Sequence, residues 1–357
     1  MLIREYVEEV VYGRKRSPVL GVLLSVLAAV YWALIQLRSL LYRTHLLSIS
    51  SLPCKVISIG NLTLGGTGKT PTVISVAGLL ARNRKRPVVI SRGYGRENES
   101  EILVVADGRS VLVNARIGGD EPTLIASKLP GVPVVVGSKR YDAALHALQT
   151  FHSDVVILDD GFQHQQLKRD LDIVLVDAAD PFGKGKLFPA GILREPITAL
   201  ARAHAVIITR VEQAKDLAAL RSIIERSTQA RIFTSRYQPI DLVDCSSGES
   251  KPLSALRGAK TLVFSGIARP TSLTALLRSL GADIVSESAF PDHHAYTRSD
   301  LAELFKRAAD ARVSLIVTSE KDMVRLKDVR PEGIWALRIE LSIQEQEAWE
   351  SFLLRQV

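Results

Sequence analysis

The chain has 357 residues, room for two ordinary domains, and its 46% hydrophobic and 24% charged content excludes an intrinsically disordered chain. A net charge of +8 favours anionic partners: nucleotides, nucleic acid or an acidic membrane surface. The two cysteines, Cys54 and Cys245, stand in no metal spacing and argue against a disulfide framework.

The chain begins with Glu5, Glu8 and Glu9 and turns basic at Arg14, Lys15 and Arg16. Residues 19–37 then carry no charge. As a helix this stretch is about 28 Å long, close to the hydrocarbon thickness of a bilayer. Tyr31 and Trp32 near its end suit an interfacial position. A cleaved signal peptide is the weakest reading, since no Ala-x-Ala site follows. A full span places basic residues on both sides, with Arg38 and Arg43 on the second flank, so charge does not orient it. A helix lodged in one leaflet, its basic flanks on anionic headgroups, accommodates both flanks. A buried core helix is the soluble alternative. Membrane association by one of these routes is the expectation.

Residues 55–59 read as a short buried strand and residues 71–80 as a helix with Pro71 in its first turn. Between them lies Gly60-Asn61-Leu62-Thr63-Leu64-Gly65-Gly66-Thr67-Gly68-Lys69-Thr70, a phosphate-loop arrangement. Glycines let the backbone curl with its N–H groups inward, and the helix N-terminus adds partial positive charge. Lys69 can reach the β- and γ-phosphates, and the Thr70 hydroxyl can ligate Mg²⁺. Thr63 stands where the strict pattern has glycine, and Gly65 and Gly66 supply the flexibility. The nucleotide-binding residues are therefore Thr63, Gly65, Gly66, Thr67, Gly68, Lys69 and Thr70.

Residues 87–91 form a second buried strand, ending in Arg92-Gly93-Tyr94-Gly95-Arg96, a turn able to grip phosphate or simply a solvated loop. Residues 102–105 and 111–113 pattern as a hairpin around Asp107-Gly108. Gly118-Gly119-Asp120-Glu121-Pro122 leads into a helix, with Asp120 either its N-cap or a catalytic base. A strand at 132–136 and a helix at 141–150 follow. The strand Val155-Val156-Ile157-Leu158 runs into Asp159-Asp160, the Walker B form, whose carboxylate holds Mg²⁺ directly or through water. Gln163 and His164 follow within one turn, His164 standing either in the site or as an ordinary polar histidine. After a strand at 172–177, a loop at 181–191 carries Lys184 and Lys186. Residues 193–196 start the next helix, and Arg194 is either a phosphate contact or a surface ion pair. A strand at 205–209 completes an alternation that predicts a parallel sheet covered on both faces, with ligands at the carboxyl ends of its strands.

Residues 231–239 read as an extended linker strand and 246–258 as a surface connection. A second, smaller α/β unit follows, with strands at 261–264, 284–285 and 314–317 and a helix at 272–280. Phe290-Pro291-Asp292-His293-His294 places a histidine suited to an active site, or an exposed loop. Residues 334–341 can pair with 231–239 as a two-stranded hinge, and 344–354 is an amphipathic helix.

Together these motifs resemble the tetraacyldisaccharide 4'-kinases of Gram-negative bacteria. The matching pieces are the stretch from Gly60 to Pro71, Ser91-Arg92-Gly93-Tyr94-Gly95, Gly119-Asp120-Glu121-Pro122, Leu158-Asp159-Asp160-Gly161-Phe162-Gln163-His164, Arg194-Glu195-Pro196, Phe264-Ser265-Gly266-Ile267, Pro291-Asp292-His293-His294 and Ser319-Glu320-Lys321-Asp322. Thr63 itself is typical of that family. The resemblance implies ATP- and Mg²⁺-dependent phosphorylation of the 4'-hydroxyl of a lipid A disaccharide 1-phosphate, giving lipid IVA. It implies work at the cytoplasmic face of the inner membrane, on a glycolipid, with no nucleic acid and no obligate protein partner. It implies catalytic roles for Asp120, His293 and Lys69. It also implies a Mg²⁺ and active-site cluster of Thr70, Asp159, Asp160, Gln163 and His164, and substrate contacts from Arg92, Arg194 and Glu195. The expected organisation is a membrane-associated segment over 1–45, a phosphate-loop kinase domain over 46–230 and a smaller α/β domain with a two-stranded linker over 231–357. A membrane-tethered NTPase switch acting on a protein partner shares the loop, the carboxylates and the anchor, and is the alternative.

Overall fold

The computed structural model describes residues 10, 11, 15, 17–94, 96, 98–327, 329 and 331–357. Glu5, Glu8, Glu9, Arg14, Arg16 and Gly95 lie outside the described residues.

In chain order the first half holds α1 (Pro18–Arg43), β1 (Lys55–Asn61), α2 (Lys69–Arg82), β2 (Pro87–Ser91), β3 (Leu103–Asp107), α3 (Ala115–Gly118), α4 (Asp120–Lys128), β4 (Pro133–Val136), α5 (Arg140–Phe151), β5 (Val155–Asp159) and β6 (Leu171–Asp177). Then come β7 (Ala205–Thr209), α6 (Leu217–Ser227), β8 (Arg231–Asp244), β9 (Ser250–Pro252), β10 (Lys260–Ser265), α7 (Pro270–Ser279) and β11 (Asp283–Ala289). The chain closes with α8 (Arg298–Asp310), β12 (Leu315–Ser319), α9 (Glu320–Leu326), β13 (Ile334–Ile343) and α10 (Gln346–Leu354).

Two compact units result, each drawn from separate stretches: Met1–Val73, Asp154–Arg236 and Ser342–Val357 in the first, Ile74–Ser153 and Tyr237–Leu341 in the second. β8 and β13 contribute residues to both. In the first unit the strands run β8-β7-β6-β1-β5, all parallel, with Ile59 opposite Asp159 and Gly60 opposite Val174. Every residue of β5, β6 and β7 is buried, the consequence of continuous apolar runs covered on both faces. The core on one side gathers Leu62, Phe162, Val174, Val206, Leu200 and Ile224. Gly60, one residue before the end of β1, is required by close packing: a Cβ there would meet Phe162 Cβ at 2.6 Å.

α1 is longer than the uncharged stretch that predicts it and takes in Arg38 and Arg43. Leu24, Ala28, Ile35 and Tyr42 form its buried stripe, while Val22, Leu23, Val26, Val30, Leu34 and Leu37 are exposed. Among the described residues it is the one helix long and apolar enough to cross a membrane.

In the second unit β2 pairs with β4 in parallel, and β3 lies antiparallel on β4. The other strands run β11-β10-β12-β13 in parallel, with β9 antiparallel on β8. Phe264, Tyr296, Leu304, Ile316 and Ile334 fill one core; Val263, Leu277, Val317 and Trp335 fill another. The hairpin expected around Asp107-Gly108 shrinks to a single bridge between Ala106 and Val111. The Asp107 carboxylate accepts from the N–H groups of Arg109 and Ser110, tightening the turn, and β3 spends its ladder on β4 instead.

Candidate active site

In the first unit the phosphate loop is fixed from both sides. Thr63 bridges to Leu193, the Leu64 N–H donates to the Ile192 carbonyl at 2.7 Å, and the Arg194 N–H donates to the Leu62 carbonyl at 2.7 Å. A β-branched threonine suits this extended, paired backbone, which explains the departure from glycine at 63. Gly65 and Gly68 take the left turns, with φ of 101° and 97°, and a Cβ at Gly65 or Gly66 would meet nothing within 4 Å. From the end of β7, the Thr209 hydroxyl donates to the Thr67 carbonyl at 2.9 Å and Arg210 donates to the Gly66 carbonyl at 3.3 Å. Arg210 is itself held by the buried Asp177, its Nε 2.9 Å from Oδ1. Two loop carbonyls are thereby turned toward protein, the arrangement that aims neighbouring N–H groups at an anion beside the N-terminus of the 14-residue α2.

Polar side chains converge beside the loop. Lys69 Nζ lies 3.3 Å from Asn61 Oδ1 and 3.7 Å from Asp160 Oδ1. Arg194 Nη1 reaches the same two atoms, at 3.3 Å and 2.7 Å. The Gln163 amide donates to the Asn61 carbonyl at 2.9 Å, and Asn61 Nδ2 donates to the Thr63 carbonyl at 2.9 Å. Asn61 is thus a site residue that the motif contained without marking; its position as the last residue of β1 is the available signal. Asp159 ends β5, buried, and the chain then bends sharply through Asp160 at φ 54°. Gly161 permits the bend, since a Cβ there would stand 2.6 Å from Leu158 Cβ.

Arg194 does not open a helix. Its backbone belongs to the bridge with the loop, and the next helical turn is the 3-10 segment Ile197–Arg202 after Pro196. Glu195 is buried and ion-paired to Arg202 at 2.7 Å and to Arg38 of α1 at 3.5 Å, neither aligned as a hydrogen bond. The Tyr31 hydroxyl of α1 donates to the Arg194 carbonyl at 3.0 Å.

The oxygen set here fits a hard cation. Among the described residues no group of three or more His, Cys, Asp or Glu gathers as a dedicated metal cage. Mg²⁺ does not need one: it takes one or two carboxylates and completes its shell with water and phosphate oxygens. Among the described residues Gln163 Oε1 is buried without a hydrogen-bond partner, a spare acceptor three residues after Asp160 in the chain. The His164 backbone carbonyl accepts from Arg169 at 2.7 Å.

In the second unit Asp120 is the first residue of α4, and Gly119, at φ 90°, occupies the N-cap position. The Asp120 side chain does not cap the helix. Its Oδ2 lies 2.7 Å from His293 Nδ1, 2.8 Å from Arg325 Nε and 2.7 Å from Arg325 Nη2. Burial raises the carboxyl's pKa, but hydrogen bonds from His293 and Arg325 and their charges outweigh it and hold the pKa below the usual range. With an ionised carboxylate as partner, Nδ1 carries the ring proton in the neutral imidazole, which assigns the lone pair to Nε2. Tyr94 lies edge-on to the His293 ring at 6.1 Å. The adjacent Glu121 pairs with Lys321 at 2.7 Å. Arg92 stands apart on the surface, 3.8 Å from Glu99. Arg325, like Asn61, is a residue that sequence reasoning missed; the preceding Ser319-Glu320-Lys321-Asp322 motif is its only hint.

The family model for Tetraacyldisaccharide-1-P 4'-kinase matches residues 20–357. The chain belongs to the tetraacyldisaccharide-1-P 4'-kinase family. A tetraacyldisaccharide 4'-kinase of Anaeromyxobacter sp. (strain Fw109-5) is 44% identical over 344 residues, 94% of this chain and 92% of that one. The corresponding kinase of Syntrophus aciditrophicus is 41% identical over 358 residues, covering 96% and 94%. A crystal structure of LpxK from Aquifex aeolicus in complex with ATP superposes with a TM-score of 0.78 at 32% identity, covering 94% of this chain and 99% of that one.

Proposed function

We propose that this kinase transfers the γ-phosphoryl group of ATP to the 4'-hydroxyl of a lipid A disaccharide 1-phosphate, giving lipid IVA and ADP. The new bond joins the sugar oxygen to phosphorus, the bond to the ADP oxygen breaks, and the hydroxyl proton leaves. Lys69 and Arg194, both drawn to Asp160 Oδ1, carry the reading most directly, because two cations beside an anion-binding loop suit charge spread over a transferring phosphoryl group. Thr63, Gly65, Gly66, Thr67, Gly68, Lys69 and Thr70 hold the nucleotide. Thr70, Asp159, Asp160, Gln163 and His164 form the Mg²⁺ and active-site cluster; the ion, when bound, neutralises phosphate charge. Asp120, supported by His293, orients the acceptor hydroxyl and receives its proton late, as suits a carboxylate whose pKa lies below the ordinary range. Arg92 and Arg194 serve the substrate directly, and Glu195, buried between Arg202 and Arg38, serves it by holding the backbone beside Arg194.

The serial division 1–45, 46–230 and 231–357 is offered as the functional one: membrane docking, nucleotide binding and a smaller partner domain. The exposed apolar face of α1 supports docking on a membrane surface, and a cytosolic nucleotide supports the cytoplasmic face of the inner membrane. Nucleic acid and an obligate protein partner have no role in this reading. The deciding experiment incubates the full chain with ATP, Mg²⁺ and the glycolipid and follows the lipid by mass spectrometry. A gain of one phosphate on the lipid supports the kinase; ATP hydrolysis indifferent to the lipid supports an NTPase switch instead.

A further inference from the structure

We propose that Arg325 is a positioning residue for phosphoryl transfer, holding Asp120 by one carboxylate oxygen so that the other is kept for the acceptor hydroxyl. The inference rests on the reading of Asp120 and His293 as the acceptor-side pair. An arginine facing a carboxylate commonly makes two parallel bonds, one to each oxygen. Here Nε donates to Oδ2 at 2.8 Å, and Nη2 lies 2.7 Å from the same oxygen as an ion pair not aligned as a hydrogen bond, itself 3.5 Å from His293 Nδ1. Oδ2 is also the oxygen that His293 Nδ1 meets at 2.7 Å. Among the described residues, every hydrogen bond given to this carboxylate side chain falls on Oδ2.

The guanidinium is not free to choose another pose. Its side chain is 4% exposed, and Nη1 donates to the Gly266 carbonyl at 2.7 Å and to Asp322 Oδ1 at 3.1 Å. Asp322 is fully buried and accepts from the Gly266 N–H at 3.0 Å, the Tyr296 hydroxyl at 2.9 Å and the Ser319 hydroxyl at 2.6 Å. Asp322 already neutralises the buried cation, so the contact with Asp120 is additional to what burial requires. The Phe264-Ser265-Gly266-Ile267 and Ser319-Glu320-Lys321-Asp322 motifs acquire a purpose: they build the socket that fixes Arg325. Arginine bonds Asp120 from Nε and both Asp322 and Gly266 from Nη1; lysine, a point charge without a planar fork, cannot serve all three from these positions.

The experiment is a double-mutant cycle with full-length protein, ATP and the acceptor glycolipid, reading kcat and both KM values. Arg325→Lys keeps the charge beside Asp322, and a thermal melt confirms its fold. It should lower kcat by about 10-fold to 100-fold while leaving the KM for ATP within about twofold. In an Asp120→Asn background the same substitution should change kcat by less than about twofold, since residues acting through one another are not additive. An undiminished kcat in Arg325→Lys, or an equal loss in both backgrounds, overturns the positioning role. A wild-type kcat in Asp120→Asn alone instead overturns the acceptor-pair reading, and the inference with it.

Discussion

Lys69 and Arg194 meet on one carboxylate oxygen, Asp160 Oδ1, at 3.7 Å and 2.7 Å. All three side chains are a fifth to a third exposed, so these pairs hold position rather than add much stability, about 0–1 kcal/mol each. In the proposed reaction their value is preorganisation: Asp160 and Asn61 hold both cations in place beside the loop. The Asn61 amide oxygen, 3.3 Å from each cation, completes the support.

Removing Lys69 should therefore strike the chemical step. Lys69→Ala is expected to lower kcat by on the order of 10²-fold or more, as loss of a preorganised transition-state contact does. Thr70→Ala should raise the Mg²⁺ concentration needed for half-maximal rate. Both are read from steady-state phosphate transfer at varied Mg²⁺, and near-wild-type turnover in Lys69→Ala would sink the loop assignment.

Asp120 and His293 touch, and their substitutions should show it. Asp120→Asn and His293→Ala are each expected to lower kcat by about 10²-fold or more with little change in nucleotide affinity. The double variant should be little worse than the worse single, because the two work as a unit. Multiplicative losses would instead assign the residues separate jobs.

The Asp120 carboxyl also ties stability to pH. Its folded pKa is depressed below the unfolded value, about 3.9 for Asp, so the ionised form favours the fold. That stabilisation is complete above the unfolded pKa and is lost as pH falls through the lower folded one. Urea unfolding of wild type and Asp120→Asn across a pH series should show a constant gap above about pH 5 that narrows on acidification below about pH 4. A gap that stays constant down to pH 2 would show that Asp120 carries no linkage.

The two faces of α1 should separate in experiment. Val22, Val26 and Val30 are more than half exposed, whereas Leu24 and Ile35 are buried. Replacing the three valines with glutamine should weaken binding to anionic vesicles at least about tenfold and raise the acceptor KM, with the melting temperature unchanged. Leu24→Ala or Ile35→Ala should destabilise the protein by about 2–5 kcal/mol. Deleting residues 1–40 would confound the two, since it also removes the Tyr31 and Arg38 contacts to Arg194 and Glu195. Unaltered vesicle binding in the glutamine variant would remove the membrane role.

The loop, the Walker B strand and α1 are legible in the chain because each is a contiguous pattern. Glycine spacing with Lys69-Thr70, an apolar run ending in Asp159-Asp160 and an uncharged stretch over 19–37 all act through neighbours in sequence. Continuous apolar strands likewise announce a covered parallel sheet, and β1, β5, β6 and β7 form one. Local pattern misleads where a tertiary partner competes. Asp120 has the chemistry of an N-cap and the position of one to within a single residue, yet its carboxylate turns to His293 and Arg325. Residues 111–113 pattern as a strand, but β4 takes the ladder.

By itself, then, the sequence determined that a phosphate loop and a paired carboxylate lie at strand ends, and that an apolar helix precedes them, because backbone conformation and burial of those segments follow from short-range composition. Only the tertiary structure decided which side chains share an atom. Arg325 reaches Asp120 across 205 residues, His293 across 173, and Arg194 reaches Asn61 across 133. Such meetings depend on strand order, on loop lengths and on buried anchors such as Asp322 and Asp177. A charged side chain carries no mark in the chain of the partner that will neutralise it, and folding alone selects that partner by excluding water around the pair.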